Sequence, residues 1–174
     1  MLMNIVDVLL NYVEGMRTAT DTAFRLLPFA TEASWSTGRW KALSKYTAMA
    51  PKEMSEDFNI RIGQTLLALH AGDTQLFKDT IDHTRKQIAS TLSAANTASL
   101  GACHDTMLKL HVLTELEMIG DTGRSAQLER PKVLASLSRR LEALGAYLND
   151  KQYLLGIRRA AMQLSRLLSI GLYS

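Results

Sequence analysis

Apolar residues recur every three or four positions along almost the whole chain, the spacing of one face of an α-helix. Leu2, Ile5, Val6, Leu9, Leu10 and Val13 form a first wide apolar face, closed by Gly15. A second segment, about 22–37, carries Phe24, Leu27, Thr31, Ser34 and Trp35. Pro28 lies inside it and is expected either to start the helix proper or to kink it, because proline lacks an N–H and crowds the preceding turn. A third segment runs from Arg39 to about Met49 and stops before Pro51, since the residue ahead of a proline avoids the α region.

Phe58, Ile62, Leu66 and Leu69 follow, entered through Ser55 and left through Gly72, with Glu56 and Asp57 where a helix dipole favours negative charge. Asp73 is placed to cap a helix whose face is Phe77, Ile81, Thr84, Ile88 and Leu92. Asn96 or Thr97 is placed to cap another, with Leu100, Cys103, Met107, Leu110, Thr114 and Glu117 along one line and Gly120 closing it. The period breaks over the polar stretch 121–130, which reads as a flexible loop. Pro131 then suits a first helical turn, and Leu134, Leu137, Leu141, Leu144 and Leu148 alternate at three and four. After a turn at Asn149-Asp150 the alternation returns in Leu154, Ile157, Ala161, Leu164 and Leu168.

The pattern predicts an all-α chain of about eight helices with short connections and no strand, so that neighbours lie antiparallel. Trp40-Lys41-Ala42-Leu43 reproduces the W-x-x-L opening of a tetratricopeptide helix, and Leu66 to Asp73 is an apolar helix end running into a Gly-Asp turn. No 34-residue period returns, so the expected architecture is an irregular α-solenoid of tetratricopeptide-like hairpins, a single helical-repeat segment over 1–174. Both ends carry apolar residues where solenoids carry polar capping helices, and the chain is expected to be a fragment of a longer one.

Composition narrows this picture without changing it. Of 174 residues 47% are hydrophobic, with only 3 prolines and 10 glycines, too few turns for an all-β fold. The single cysteine excludes a disulfide framework and fits a reducing compartment. The first residues have no basic region of a secretory signal, and the longest apolar run, Leu167–Tyr173, is too short to span a bilayer. Net charge is +3, yet from Arg130 onward eight basic residues face only Glu142 and Asp150. That basic end reads as a solvated helix face or a contact for an acidic partner. Aromatic platforms for nucleic acid do not accompany it.

A search for chemistry finds little. Cys103, His104 and His111 share one helix, but a zinc site needs three or four converging ligands, and the reading here is a buried cysteine flanked by surface histidines. His111 and Glu115 have the i, i+4 spacing that suits a surface hydrogen-bonded pair as well as half a metal site, and Glu115 and Glu117 point to different faces, so they are not a paired acid and base. Phosphate-binding, dinucleotide, zincin and kinase signatures do not occur. Neither catalytic residues nor a cofactor are predicted. Trp35 and Trp40, bracketing Gly38, read as bulky fillers of a joint between two helices.

At that joint a resemblance enters. Glu32-Ala33-Ser34-Trp35-Ser36-Thr37-Gly38-Arg39-Trp40-Lys41-Ala42-Leu43 resembles a segment in the FAT region of ATR-type checkpoint kinases, which are phosphatidylinositol-3-kinase-related protein kinases. Arg61–Leu67, Leu110–Glu117, and Arg139-Arg140-Leu141-Glu142 followed by Leu155–Ala160 are similar to three further stretches of that region, in the same order. The likeness runs from about Phe24 to Arg166.

The resemblance implies a non-catalytic α-solenoid that wraps a kinase domain in a nuclear DNA-damage checkpoint and repair enzyme. Its implied partners are the remainder of the kinase polypeptide, a second copy or a regulatory subunit, with no direct nucleic acid and no membrane. The candidate structural and interaction residues are Trp35, Gly38, Trp40, Leu43, Gly72, Arg139, Arg140, Arg158 and Arg159. A reading from another class is a self-contained helical adaptor that binds a partner helix in a groove.

Overall fold

The computed structural model describes residues 20–94, 99–122 and 130–171, together with Val8. Within them lie seven α-helices and one 3-10 turn, and no strand among the described residues. The predicted first face, Leu2 to Val13, lies outside the described residues. The chain divides into two compact units, Met1–Ala68 and Leu69–Ser174.

In the first unit α1 spans Thr20–Ser36 and α2 spans Trp40–Met49. Helix α1 begins well before Pro28 and carries it inside, so Pro28 does not start the helix. The turn between α1 and α2 is set by Gly38, whose φ is 71°. Its N–H donates to the Trp35 carbonyl at 3.3 Å and the Arg39 N–H donates to the Ser34 carbonyl at 2.9 Å. These are the paired bonds of a Schellman turn, which needs a left-handed residue, a conformation glycine adopts without a Cβ penalty. Helix α2 ends at Ala50, whose backbone is extended ahead of Pro51, as the proline requires.

A 3-10 turn, Lys52–Met54, leads to α3, Phe58–Ala71. The sequence reading placed its entrance at Ser55, but Asp57 caps it: one carboxylate oxygen accepts from the Asn59 N–H at 2.9 Å and the Ile60 N–H at 3.2 Å. The Ser55 hydroxyl donates instead to the Lys52 carbonyl, inside the 3-10 turn. A core of Leu27, Ala30, Ala33, Tyr46 and Ile60 holds the unit together. The buried hydroxyls of Ser34 and Thr65 donate to their own helices at Ala30 and Arg61, which removes the cost of burying them.

The second unit holds α4 (Thr74–Ala94), α5 (Leu100–Thr122), α6 (Arg130–Ala143) and α7 (Leu148–Gly171). Asp73 caps α4 through the Leu76 N–H at 2.9 Å. Ser99 caps α5 through the Ala102 N–H at 3.2 Å, and the predicted caps Asn96 and Thr97 lie outside the described residues. Asp121 and Thr122 are still helical, so the expected loop begins later than 121, and 123–129 lie outside the described residues. Helix α5 packs against α4, α6 and α7. Phe77 and Ile81 on α4, Val112, Leu113 and Leu116 on α5, Leu137 on α6, and Leu154, Ile157 and Leu164 on α7 are buried to within about 1%.

Two expectations fail on α5, for one reason. The predicted line from Leu100 through Met107 is solvent-exposed, with Leu100 89% and Met107 61% accessible. Gly120 does not close the helix but lies inside it, where an added Cβ would come 2.6 Å from the Phe77 ring. A helix contacted by three others is apolar on several sides, and its longest apolar line is then no guide to which side is covered.

Candidate functional site

The four stretches singled out in the sequence come together in pairs. In the first unit, Gly63 of the Arg61–Leu67 stretch lies where α3 crosses both helices of the preceding hairpin. A Cβ built there would lie 2.6 Å from Thr31 Cγ2, 3.0 Å from Thr47 Cγ2 and 3.1 Å from Leu43 Cδ1. Glycine at this crossing permits an approach that no other residue allows without moving a neighbour. Leu43, the last residue of the Trp40–Leu43 signature, is fully buried at the same point. Beside it Glu32 of α1 accepts a hydrogen bond at 3.5 Å from Asn59 Nδ2 at the start of α3. Burial of Glu32 raises its carboxyl pKa above the ordinary value.

In the second unit the Leu110–Glu117 stretch meets the Leu155–Ala160 stretch through an ion pair. Arg158 donates through Nε to Glu115 Oε2 at 3.0 Å and through Nη2 to Glu115 Oε1 at 2.9 Å. Nη2 also donates to the Leu137 carbonyl at 3.0 Å, so one guanidinium joins α5, α6 and α7. Only 11% of the Arg158 side chain and 2% of the Glu115 side chain reach solvent. Two parallel N–H···O bonds to a carboxylate are the geometry in which arginine binds most strongly.

Around this pair lie more exposed ones. Arg85 of α4 holds Glu117 at 2.6 Å, and that bond raises the pKa of the guanidinium further. Lys78 faces Asp121 at 3.5 Å. His104 of α5 hydrogen-bonds Asp150 of α7 at 2.6 Å, and its ring lies 4.4 Å from that of Tyr147. The pairings give directions to the helices. Residue numbers fall on α5 as they rise on α4, so those two run antiparallel. They rise together from His104–Asp150 to Glu115–Arg158, so α5 and α7 run parallel, as alternate helices of stacked hairpins do.

The predicted candidates fall into distinct places. Trp35 is buried in α1, Trp40 is half-buried at the start of α2, and Gly72, at φ 71°, ends α3 by donating to the Leu69 carbonyl at 3.2 Å. Arg139 and Arg159 are exposed and Arg140 is half-buried. Arg158 does not belong to a solvated basic face, because its guanidinium is turned inward onto Glu115. His111 and Glu115 do not form the surface pair that their spacing suggested: Glu115 is buried and turned to Arg158. Cys103 is exposed rather than buried, and His104 turns to Asp150. Among the described residues no three His, Cys, Asp or Glu side chains converge as a metal site would require, and no helix is long and apolar enough to cross a membrane.

Sequence reasoning missed the close approach at Gly63, gave Gly120 the wrong role, and missed the partner of Glu115. The signal for the last was present: a carboxylate among Val112, Leu113 and Leu116 must find a cation when that surface is covered.

Helical pairing of this kind is common to many repeat proteins, and comparison with known proteins separates them. The family model of the FAT domain matches residues 27–168, from within α1 to within α7. The chain belongs to the FAT domain family. Gly63, Glu115 and Arg158 all lie inside the matched range. This FAT chain is also similar to the serine/threonine-protein kinase ATR of two rice subspecies, Oryza sativa subsp. indica and subsp. japonica. Each is 26% identical over 153 residues, covering 78% of this chain. The chain spans 6% of the length of these relatives. The FAT domain is a non-catalytic region of ATR-like kinases, and a FAT segment supplies scaffold.

Proposed function

We propose that this chain is the scaffold segment of an ATR-type serine/threonine kinase of the nuclear DNA-damage checkpoint and DNA repair. Its partners are the rest of the kinase polypeptide, the kinase domain included, and a second copy or a regulatory subunit. The observation that carries the reading is the FAT match over residues 27–168, together with relatives named for that kinase. The mechanism is mechanical: stacked helices joined by buried side chains pass a displacement at one end to the other through packing. Tight crossings such as Gly63 and inward ion pairs such as Glu115–Arg158 suit that task, because they resist sliding.

The test is a chimera in which residues 27–168 replace the matching segment of the rice kinase in cells lacking their own. Restored phosphorylation of checkpoint substrates after replication is blocked supports the reading. A chimera that accumulates to the normal level, is nuclear and leaves signalling absent overturns it, and favours a stand-alone adaptor that binds a partner helix.

A further inference from the structure

We propose that Glu115 and Arg158 form a register lock, which fixes the parallel alignment of α5 and α7 and ties both to α6. The inference is independent of the function assigned above. It begins from what the apolar contacts between α5 and α7 leave open. Helices α5 and α7 pack together, and Val112, Leu113, Leu116 and Ile119 on the one and Leu154, Ile157, Ala160, Ala161 and Leu164 on the other are all buried aliphatic side chains. Aliphatic surfaces of this kind are non-directional, and a shift of α7 by one helical turn replaces one aliphatic contact by another.

The ion pair does not tolerate that shift. Four residues before Arg158 is Leu154, and four residues after it is Met162. Either slip sets an apolar side chain against Glu115 and leaves a carboxylate with 2% of its surface in water uncompensated. Arg159 cannot substitute, being exposed on another side of α7. The third bond, to the Leu137 carbonyl, extends the constraint to α6. His104 and Asp150 report the same register, but their side chains are 37% and 21% exposed, so water can replace either partner after a slip. The buried pair therefore distinguishes one alignment from its neighbours.

The test uses the full chain with spin labels on the native Cys103, which is exposed, and on an introduced Gln163→Cys, also at an exposed position. A one-turn slip of α7 changes the interlabel distance by about 5 Å. The labelled parent is expected to give one distance. In Glu115→Leu/Arg158→Met, which removes both charges and leaves none unpaired, a second or shifted distance with undiminished helical circular dichroism supports the lock. The parent distance alone overturns it and leaves the pair a stabilising contact only. Should that variant lose its helical signal, Glu115→Met/Arg158→Leu, which likewise leaves no charge or acceptor unpaired at the site, decides in the same way.

Discussion

The two units of this chain are built from the same element, a helix joined to its neighbour by a short turn, yet different forces specify them. The first is fitted by shape. Its defining contact is the bare backbone of Gly63 against Thr31, Thr47 and Leu43, and the buried hydroxyls of Ser34 and Thr65 bond within their own helices. The second shares one such close approach, Gly120 against Phe77, and adds buried and half-buried pairing of charge between helices. Arg158 with Glu115, Arg85 with Glu117 and Lys78 with Asp121 each join different helices, across 43, 32 and 43 residues of sequence. Shape excludes wrong arrangements through overlap, which acts over tenths of an ångström. Charge excludes them through the cost of an unpaired ion, which acts over a whole helical turn. A FAT segment can thus combine a joint that resists compression with a bundle that resists sliding.

The comparison can be broken first on the second unit. Arg158→Met leaves Glu115 buried without a cation and is expected to cost about 3–5 kcal/mol, read from urea unfolding followed by far-ultraviolet circular dichroism. An effect below about 1 kcal/mol would show that Glu115 reaches water, and the unit would then not be charge-specified. In the first unit, Gly63→Val places a branched side chain against Thr31, Thr47 and Leu43. A loss of about 1–3 kcal/mol is expected, insensitive to salt. A variant as stable as the parent would mean that α3 moves away easily, and tight fit would not be what specifies this unit.

Smaller changes sharpen the contrast. Arg85→Gln removes a half-exposed pair and is expected to cost about 0.2–1 kcal/mol in dilute buffer, with most of the difference lost in concentrated salt. Hydrogen exchange along α4 reports this even when global unfolding does not. The smallest effect belongs to Glu32, whose ionisation opposes the packing around it. Its raised pKa means that the folded state holds the carboxyl proton more tightly than the unfolded chain does. That contribution is complete below the ordinary glutamate range and is lost as pH rises through the raised value. Glu32→Gln, which can still accept from Asn59, is therefore expected to raise the melting temperature near neutral pH and to leave it unchanged below about pH 4. Scanning calorimetry at the two pH values measures the difference.

What the sequence showed of this molecule follows from how local each signal is. Gly38, Gly72, Asp73 and the stop before Pro51 act within one turn of helix, and each is found where its chemistry puts it. The start of α3 was misread because Ser55, Glu56 and Asp57 are adjacent, and only the 3-10 turn before them decides which one meets the free N–H groups. The covered side of α5 was misread because three neighbours leave it no single apolar face. Arg158 was grouped with Arg139, Arg140 and Arg159 by composition, although its neighbours in space, Glu115 and Leu137, lie 43 and 21 residues earlier. The joint at Trp35 and Trp40 was legible as a motif. The reason for Gly63 was not, since a glycine inside a helix does not name the side chain that comes close to it.

The distance in sequence between Glu115 and Arg158 also matters while the chain is being made. Synthesis proceeds at roughly 5–20 residues per second, so α5 leaves the ribosome several seconds before α7 can reach it. Throughout that interval Val112, Leu113 and Leu116 have no cover from α7. A charge among them keeps this stretch hydrated and opposes its pairing with the same stretch of another nascent chain. The carboxylate therefore stays unpaired with Arg158 until α7 has been made, so the α5–α7 contact closes late in synthesis.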